Sequence, residues 1–242
     1  MQYKNRRTMS SVGLLLTMFL LLTAPTQAQS LIFNTPSTDV VAKGKTYVEM
    51  DWYGHLESLD NGGYHGFYPR VVVGVGKGLE VGANVSWSKS LTTNQPVQVI
   101  PNVKWQAYSN EKTGVTSTVG VMAYVTVKNR SNGGDDYAML YSNASKKFKS
   151  NFGPRFTGGY YQLLGRAAGN GATKGAMLGY EQPLHSTVSF VMDWYSGNNN
   201  LGYLTPALVL TLPKGQIFSA GWLIGNQGRK NNYLYLSYGL TF

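Results

Sequence analysis

Side chains alternate between apolar and polar at every second position along most of this chain, glycine is abundant, and the last ten residues form an aromatic-rich alternating run. Together these predict an all-β protein. Among 242 residues there are 29 Gly, 17 Tyr, 9 Phe and 5 Trp, yet only 13% are charged, which suits strands that are apolar on one face and small or polar on the other. Twelve period-two segments can be marked, at about 46–55, 67–76, 79–88, 97–108, 115–127, 137–148, 154–164, 175–181, 187–195, 203–212, 216–225 and 232–242. The fold class read from them is a single antiparallel up-and-down β-barrel that crosses a membrane with about 12 strands, with 10 or 14 as alternatives.

Both chain ends agree with export. Lys4, Arg6 and Arg7 precede an apolar stretch over 12–23, and Thr26-Gln27-Ala28 supplies a small-residue cleavage site. The stretch is shorter than the ~20 residues that span a bilayer as a helix, so it reads as a cleaved secretory signal. The expected organisation is a signal peptide over 1–28, a periplasmic lead-in over 29–45 and the barrel over 46–242. The chain has no Cys, so neither a lipid anchor at a first mature Cys nor a disulfide is available. Without Lys4, Arg6 and Arg7, 18 basic residues face 11 acidic ones. They are scattered through turns, densest at Lys146, Lys147 and Lys149, and read as rim charges near lipid head groups. They form no basic block of the kind that binds nucleic acid.

Charge assigns the faces of each strand, because Arg or Lys on a lipid face near the midplane costs roughly 2–4 kcal/mol. The third segment is clearest: Leu79, Val81, Ala83, Val85 and Trp87 face lipid while Glu80, Gly82, Asn84, Ser86 and Ser88 face the bore. Val48, Met50 and Trp52 face out in the first segment, Val71, Val73 and Val75 in the second, and Val188, Phe190, Met192 and Trp194 in the ninth. The segment over 137–148 does not alternate cleanly. All five Trp (Trp52, Trp87, Trp105, Trp194 and Trp222) then fall on the lipid side, as an aromatic girdle requires. Long, polar, Gly- and Asn-rich spacers alternate with tight ones, which places both termini and the short turns on the periplasmic side.

Met50-Asp51-Trp52-Tyr53 recurs as Met192-Asp193-Trp194-Tyr195, followed in each copy by a proline (Pro69, Pro206) and then Lys-Gly (Lys77-Gly78, Lys214-Gly215). The repeat aligns strands one to three with nine to eleven and reads as hairpin duplication or shared turn chemistry.

Lumen-lining candidates are Glu49, Asp51, Arg70, Glu80, Asn84 and Lys104, with Tyr124, Arg155, Tyr161, Glu181, Asp193 and Tyr195 further along the chain. Five acids and three bases suggest paired wall charges, with Asp51 and Arg70 as partners across a hairpin, and a weak cation preference. Tyrosines in the bore either fill volume or stack on a sugar or aromatic solute. Catalysis has little to build on. The only histidines are His55, His65 and His185, no Gly-x-Ser-x-Gly occurs, and three scattered His make neither a metal site nor a triad. Asp60, His65, Asp135 and Asp136 imitate in residue type alone the rim of omptin-type barrel proteases and read as solvated loop residues. No cofactor and no enzyme activity are expected.

The chain end, with Leu234, Leu236, Tyr238, Leu240 and Phe242 on one face, resembles the assembly signal of Gram-negative outer-membrane barrels. Most of the chain after residue 28 resembles the small twelve-stranded porin and putative transport barrels, including the family linked to aromatic-compound degradation. That resemblance implies an outer-membrane location in a Gram-negative bacterium and, as partners, outer-membrane lipid, periplasmic chaperones, the barrel-assembly machinery and an unnamed small solute. It also implies a porin-like passive channel for small hydrophilic solutes. The alternatives are a transport barrel for small apolar or aromatic compounds and a structural or adhesive barrel without a pore. An arginine-lined bore, which acidic-sugar porins of this size carry, is missing, since only Arg70 and Arg155 are candidates. Deleting Phe242 should lower the yield of membrane-inserted, heat-modifiable protein; normal insertion of the truncation would remove the assembly-signal reading.

Overall fold

The computed structural model describes residues 31–90, 94–150, 152–165, 171–228 and 231–242, so the signal-peptide expectation over 1–28 lies outside the described residues. Thirteen strands follow one another: β1 (Thr46–Gly54), β2 (His65–Phe67), β3 (Arg70–Gly76), β4 (Leu79–Lys89), β5 (Val97–Asn110), β6 (Val115–Lys128), β7 (Tyr137–Lys147), β8 (Arg155–Leu164), β9 (Lys174–Pro183), β10 (Val188–Tyr195), β11 (Tyr203–Leu212), β12 (Gln216–Gly225) and β13 (Tyr233–Thr241). Each pairs antiparallel with its neighbours, and β13 closes on β1 in register from Tyr47–Thr241 to Gly54–Leu234. Closure leaves no strand edge, the condition for a sheet to sit in lipid.

Thirteen strands make twelve staves. β2 and β3 both lie between β1 and β4 and are one stave interrupted at Tyr68-Pro69. Proline has no N–H for the ladder, yet its carbonyl still accepts from Val85 N (2.9 Å), and Tyr68 N donates to Asp51 O (3.0 Å). The twelve-strand antiparallel expectation therefore holds, with this one break added.

The turns show why the Lys-Gly pairs recur. Lys77 (φ 53°) and Gly78 (φ 74°) both occupy the left-handed region in the two-residue link between β3 and β4, the backbone of a tight type I′ hairpin. Lys214 (φ 58°) and Gly215 (φ 84°) share the left-handed backbone between β11 and β12, in a link one residue longer because Pro213 precedes them. Connections of two to seven residues lie on the rim that carries Thr46 and Phe242, whose backbones bond each other; those of seven to ten join the strands at the distal rim.

Faces alternate along the staves. Val71, Val73 and Val75 are exposed while Arg70 and Val72 between them are buried. In β7 the inward row is Met139, Tyr141, Asn143 and Ser145 and the outward row includes Leu140, Ser142 and Ala144, so large apolar groups inside and small ones outside blur the pattern there. Trp52, Trp87, Trp194 and Trp222 lie toward the distal rim, and Trp105, opposite Leu79, toward the termini.

The largest departure from the sequence reading is at the N-terminal side. The described part of 29–45, read as a periplasmic lead-in, runs through the bore. Ile32, Phe33, Thr35, Ser37, Thr38 and Val41 are buried, each at most 3% exposed. Ile32, Phe33 and Val41 pack with inward Val72, Val191, Val209, Ile217, Leu223 and Tyr235. Its chain turns tightly, with Leu31 bridged to Pro36 and Ile32 N bonded to Thr35 O (2.8 Å); Asn34, Thr35 and Pro36 are turn formers.

A glycine of the wall makes room for it. A Cβ on Gly74 in β3 would stand 2.2 Å from the carbonyl oxygens of both Val41 and Ala42, a clash with backbone that no side-chain movement relieves. Gly74→Val should therefore speed amide exchange at Val41 while leaving the barrel's circular dichroism intact. Unchanged protection of Val41 would show that the segment does not depend on this notch.

Candidate functional site

The bore and its segment form the candidate site. All twelve lumen-lining candidates belong to strands, and ten of them, from Glu49 to Tyr195, are buried; Arg155 and Glu181 are half-buried. Their charges are joined in three groups. Arg70 Nη2 lies 2.7 Å from Glu49 Oε1 and 2.9 Å from Asp51 Oδ2, and the Tyr47 hydroxyl donates to Glu49. Lys104 Nζ lies 3.1 Å from Glu80 Oε1. Arg155 bridges Glu181 of β9 (Nη2 to Oε1, 2.6 Å) and Asp39 of the bore segment (2.7 Å). Buried charges persist only when paired and hydrogen-bonded, because desolvation costs several kcal/mol per ion.

Asp193 has a different kind of partner. Its Oδ2 accepts from the backbone N–H groups of Phe33 (3.2 Å), Asn34 (2.6 Å) and Thr35 (2.6 Å). Charge-assisted bonds of this kind are roughly twice as strong as neutral ones, so this carboxylate is the principal anchor of the turn. In the sequence repeat Asp193 corresponds to Asp51, which faces the same interior but meets a guanidinium.

Further anchors come from around the wall. Val41 N donates to Glu80 Oε2 (2.8 Å), Asn143 Nδ2 to Pro36 O (2.5 Å) and Gln106 Nε2 to Thr38 O (2.9 Å). Thr38 and Ser145 share a hydroxyl bond of 2.6 Å, and Lys104 Nζ reaches Ser37 O at 3.4 Å. Staves β4, β5, β7, β8 and β10 thus all hold the segment, which crosses the bore.

On either side of it lies a solvent space. The distal vestibule has about 400 Å³, floored by Leu31 and Asn34 of the segment. The space toward the termini rim has about 870 Å³, with Asp39 and Arg155 at its inner end. Beside the segment a crevice of about 20 Å³ is left, bordered by Pro36, Glu80 and Asn102, room for about one water.

The distal vestibule is a tyrosine chamber. Tyr53 lies 5.9 Å, centroid to centroid, from both Tyr64 and Tyr233 and 6.4 Å from Tyr235. Tyr124 and Tyr137, from β6 and β7, stack at 4.3 Å with 10° between their planes. Tyr161, one of the lumen candidates, lies outside the residues lining this chamber; it donates to Ser196 O and stands edge-on to Tyr195 at 5.4 Å.

The rim residues singled out for their likeness to proteases are not brought together as a catalytic group. His55 Nε2 bonds Asn232 O (2.8 Å), and His65 Nδ1 accepts from Trp52 Nε1 (3.3 Å). Asp60 sits in an exposed turn, and Asp136 is bound by Arg130 (2.9 Å). That hydrogen bond to Arg130, with a second from Thr126 N–H, holds the Asp136 carboxyl below its ordinary range. His185 bonds within its own turn, to Thr187 and Ser186.

A closed twelve-stave barrel of this size has the fold of small outer-membrane porins and channels. The KdgM porin superposes with a TM-score of 0.53 at 10% identity, over 80% of this chain and 98% of that one. Its structure in complex with disordered oligogalacturonate gives 0.53 at 8%, over 82% and 98%. The COG4313 outer membrane channel from Pseudomonas putida F1 gives 0.52 at 10%, over 84% and 97%. Outer membrane phospholipase A from Escherichia coli gives 0.50 at 11%, over 84% and 94%. At these identities the shared property is the fold. No protein-family model and no curated protein sequence matches the chain.

Removing one member of a buried ion group strands the others. Arg70→Leu leaves Glu49 and Asp51 side by side without their cation, and should destabilise the refolded barrel by about 3–5 kcal/mol, read as a lower urea midpoint. The triple change Glu49→Gln, Asp51→Asn, Arg70→Gln should recover most of that loss. If Arg70→Leu unfolds at the native midpoint, the pairing is not structural.

Proposed function

We propose that the protein is a passive outer-membrane channel for small hydrophilic solutes in a Gram-negative bacterium, held closed by its own N-terminal segment. The observation that carries this reading is the layout of the bore: two solvent spaces, of about 400 and 870 Å³, separated by residues 31–41. Wide polar spaces at both rims are what a diffusion path needs and what a filled structural barrel lacks. The crevice of about 20 Å³ beside the segment passes no solute, so conduction requires the segment to move. With cleavage after Ala28, Leu31 would be the third residue of the mature chain, and a segment near a free end can leave the bore without unthreading a loop. The superposition on porins and a channel supports the class; the polar wall supports hydrophilic cargo. Lipid contact, chaperone escort and assembly through the C-terminal strand belong to the same proposal. The resemblance in fold to a phospholipase is one of fold alone: His185 meets the hydroxyls of Ser186 and Thr187 inside one exposed turn, and the described His and Asp side chains form no His–Asp pair.

Charge gives the open state a further property. Taking 31–41 out of the bore removes Asp39 from Arg155 and the three N–H groups from Asp193, leaving five wall acids against three wall bases. In planar bilayers the full chain should give rare or small ion steps. A variant lacking 31–41 should give frequent, larger ones with a reversal potential that favours cations. Silence of both proteins would sink the channel reading, and a clear anion preference would refute the charge count.

A further inference from the structure

We propose that the distal vestibule is a binding site for a neutral, hydroxyl-rich ring, of the size of a mono- or disaccharide. Its volume of about 400 Å³ is in the range of small-molecule sites. Nine tyrosines line it, more than half of the 17 in the chain. They form two opposed groups: Tyr53, Tyr64 and Tyr233 on one side, the Tyr124–Tyr137 stack on the other. Aromatic rings on both sides of the chamber offer apolar contact to the C–H groups of a sugar ring.

The polar members of the lining decide between ligand classes. Amides from Asn34, Asn84, Gln98, Asn200 and Asn231 edge the chamber; Asn84 Oδ1 accepts from Asn102, Gln98 Nε2 donates to Asp135 O and Asn231 Nδ2 donates to Tyr203, so Gln98 and Asn231 turn their acceptor oxygens, and Asn34 and Asn200 their amides, to vicinal hydroxyls. A purely apolar aromatic ligand would cover these amides without replacing their water, a cost of about 1–3 kcal/mol per group. An anionic sugar fares no better. The only charged side chains among the described lining residues are Asp51 and Arg70, and that guanidinium is already held by both Glu49 and Asp51. The floor, Leu31 and Asn34, belongs to the segment that closes the bore, so a bound ring rests on the closed state and needs no open channel. The mouth is formed by Tyr64, Asn200 and Asn231, all in connections between staves.

Because binding is read on refolded full chain in detergent micelles, without a bilayer, its failure and the failure of the channel reading are separate results. Saturation-transfer NMR and calorimetry with maltose, galacturonate, benzyl alcohol and choline form the panel. Maltose should bind, and bind more tightly than the other three. Tyr64 precedes β2 outside the strands, so Tyr64→Ala leaves the staves intact and should weaken maltose about three- to tenfold, the size of one lost aromatic stack. Tyr64→Phe should keep most of the affinity, and Tyr233→Ala should repeat the loss from β13. Absence of maltose binding, tighter binding of galacturonate, benzyl alcohol or choline, or maltose affinity unmoved in both alanine variants would each overturn the assignment.

Discussion

A cylinder of twelve staves encloses more space than its inward side chains can fill, and the rest of this structure follows from how that space is occupied. Eight-stranded barrels close on their own side chains and sixteen-stranded ones hold a water channel; twelve lies between. Here the middle of the bore is filled by residues 31–41. The chain supplies Ile32, Phe33 and Val41 to the side where the wall presents Val72, Val191, Val209 and Ile217. Toward the opposite side it presents backbone groups and small hydroxyls to Glu80, Gln106, Asn143 and Ser145. One short segment thus satisfies an apolar half-wall and a polar half-wall together.

That filling also settles the electrostatics of the interior. An open, wet bore would screen single wall charges. A filled one removes them from water, so each must find a partner close by. Arg70, Lys104 and Arg155 each join at least one carboxylate, and Asp193 is satisfied by three N–H groups of the segment itself. The two copies of the Met-Asp-Trp-Tyr repeat therefore share a strand position and differ in partner. Asp51 is tied to the neighbouring stave through Arg70, whereas Asp193 is tied to the segment inside the bore. Of the two, it is Asp193 that takes its partners from the chain inside the bore.

Much of the barrel was legible because strands obey a local rule. Period-two patterning marked all twelve staves with ends within a few residues, and the Lys-Gly pairs announced turns that need left-handed backbone at both positions. The break at Tyr68-Pro69 had a local signal in the proline. Legibility failed where the rule assumed an aqueous interior. In β7, Met139 and Tyr141 point inward and Ser142 and Ala144 outward, the reverse of a wet bore. Inward Val72, Val191, Val209 and Ile217 carry the same message: aliphatic side chains in a row that should be polar, spread over four staves, imply something apolar inside. The apolar triplet Leu31-Ile32-Phe33 was the available occupant.

The sequence by itself determined the staves, the faces of all but β7, the turn chemistry and the closing partnership of β13 with β1, since each depends on neighbours in the chain or on a parity that repeats every two residues. The position of residues 31–41 was decided only by the tertiary structure. Its anchors join residues as far apart as Phe33 and Asp193, 160 positions along the chain, and no spacing within the segment encodes such a contact. The segment carries too few residues to show a period, and its polar stretch Asn34 to Thr38 reads as a loop in isolation. Only the closed cylinder, with its unfilled centre and its row of buried acids, gives those residues a place to bind.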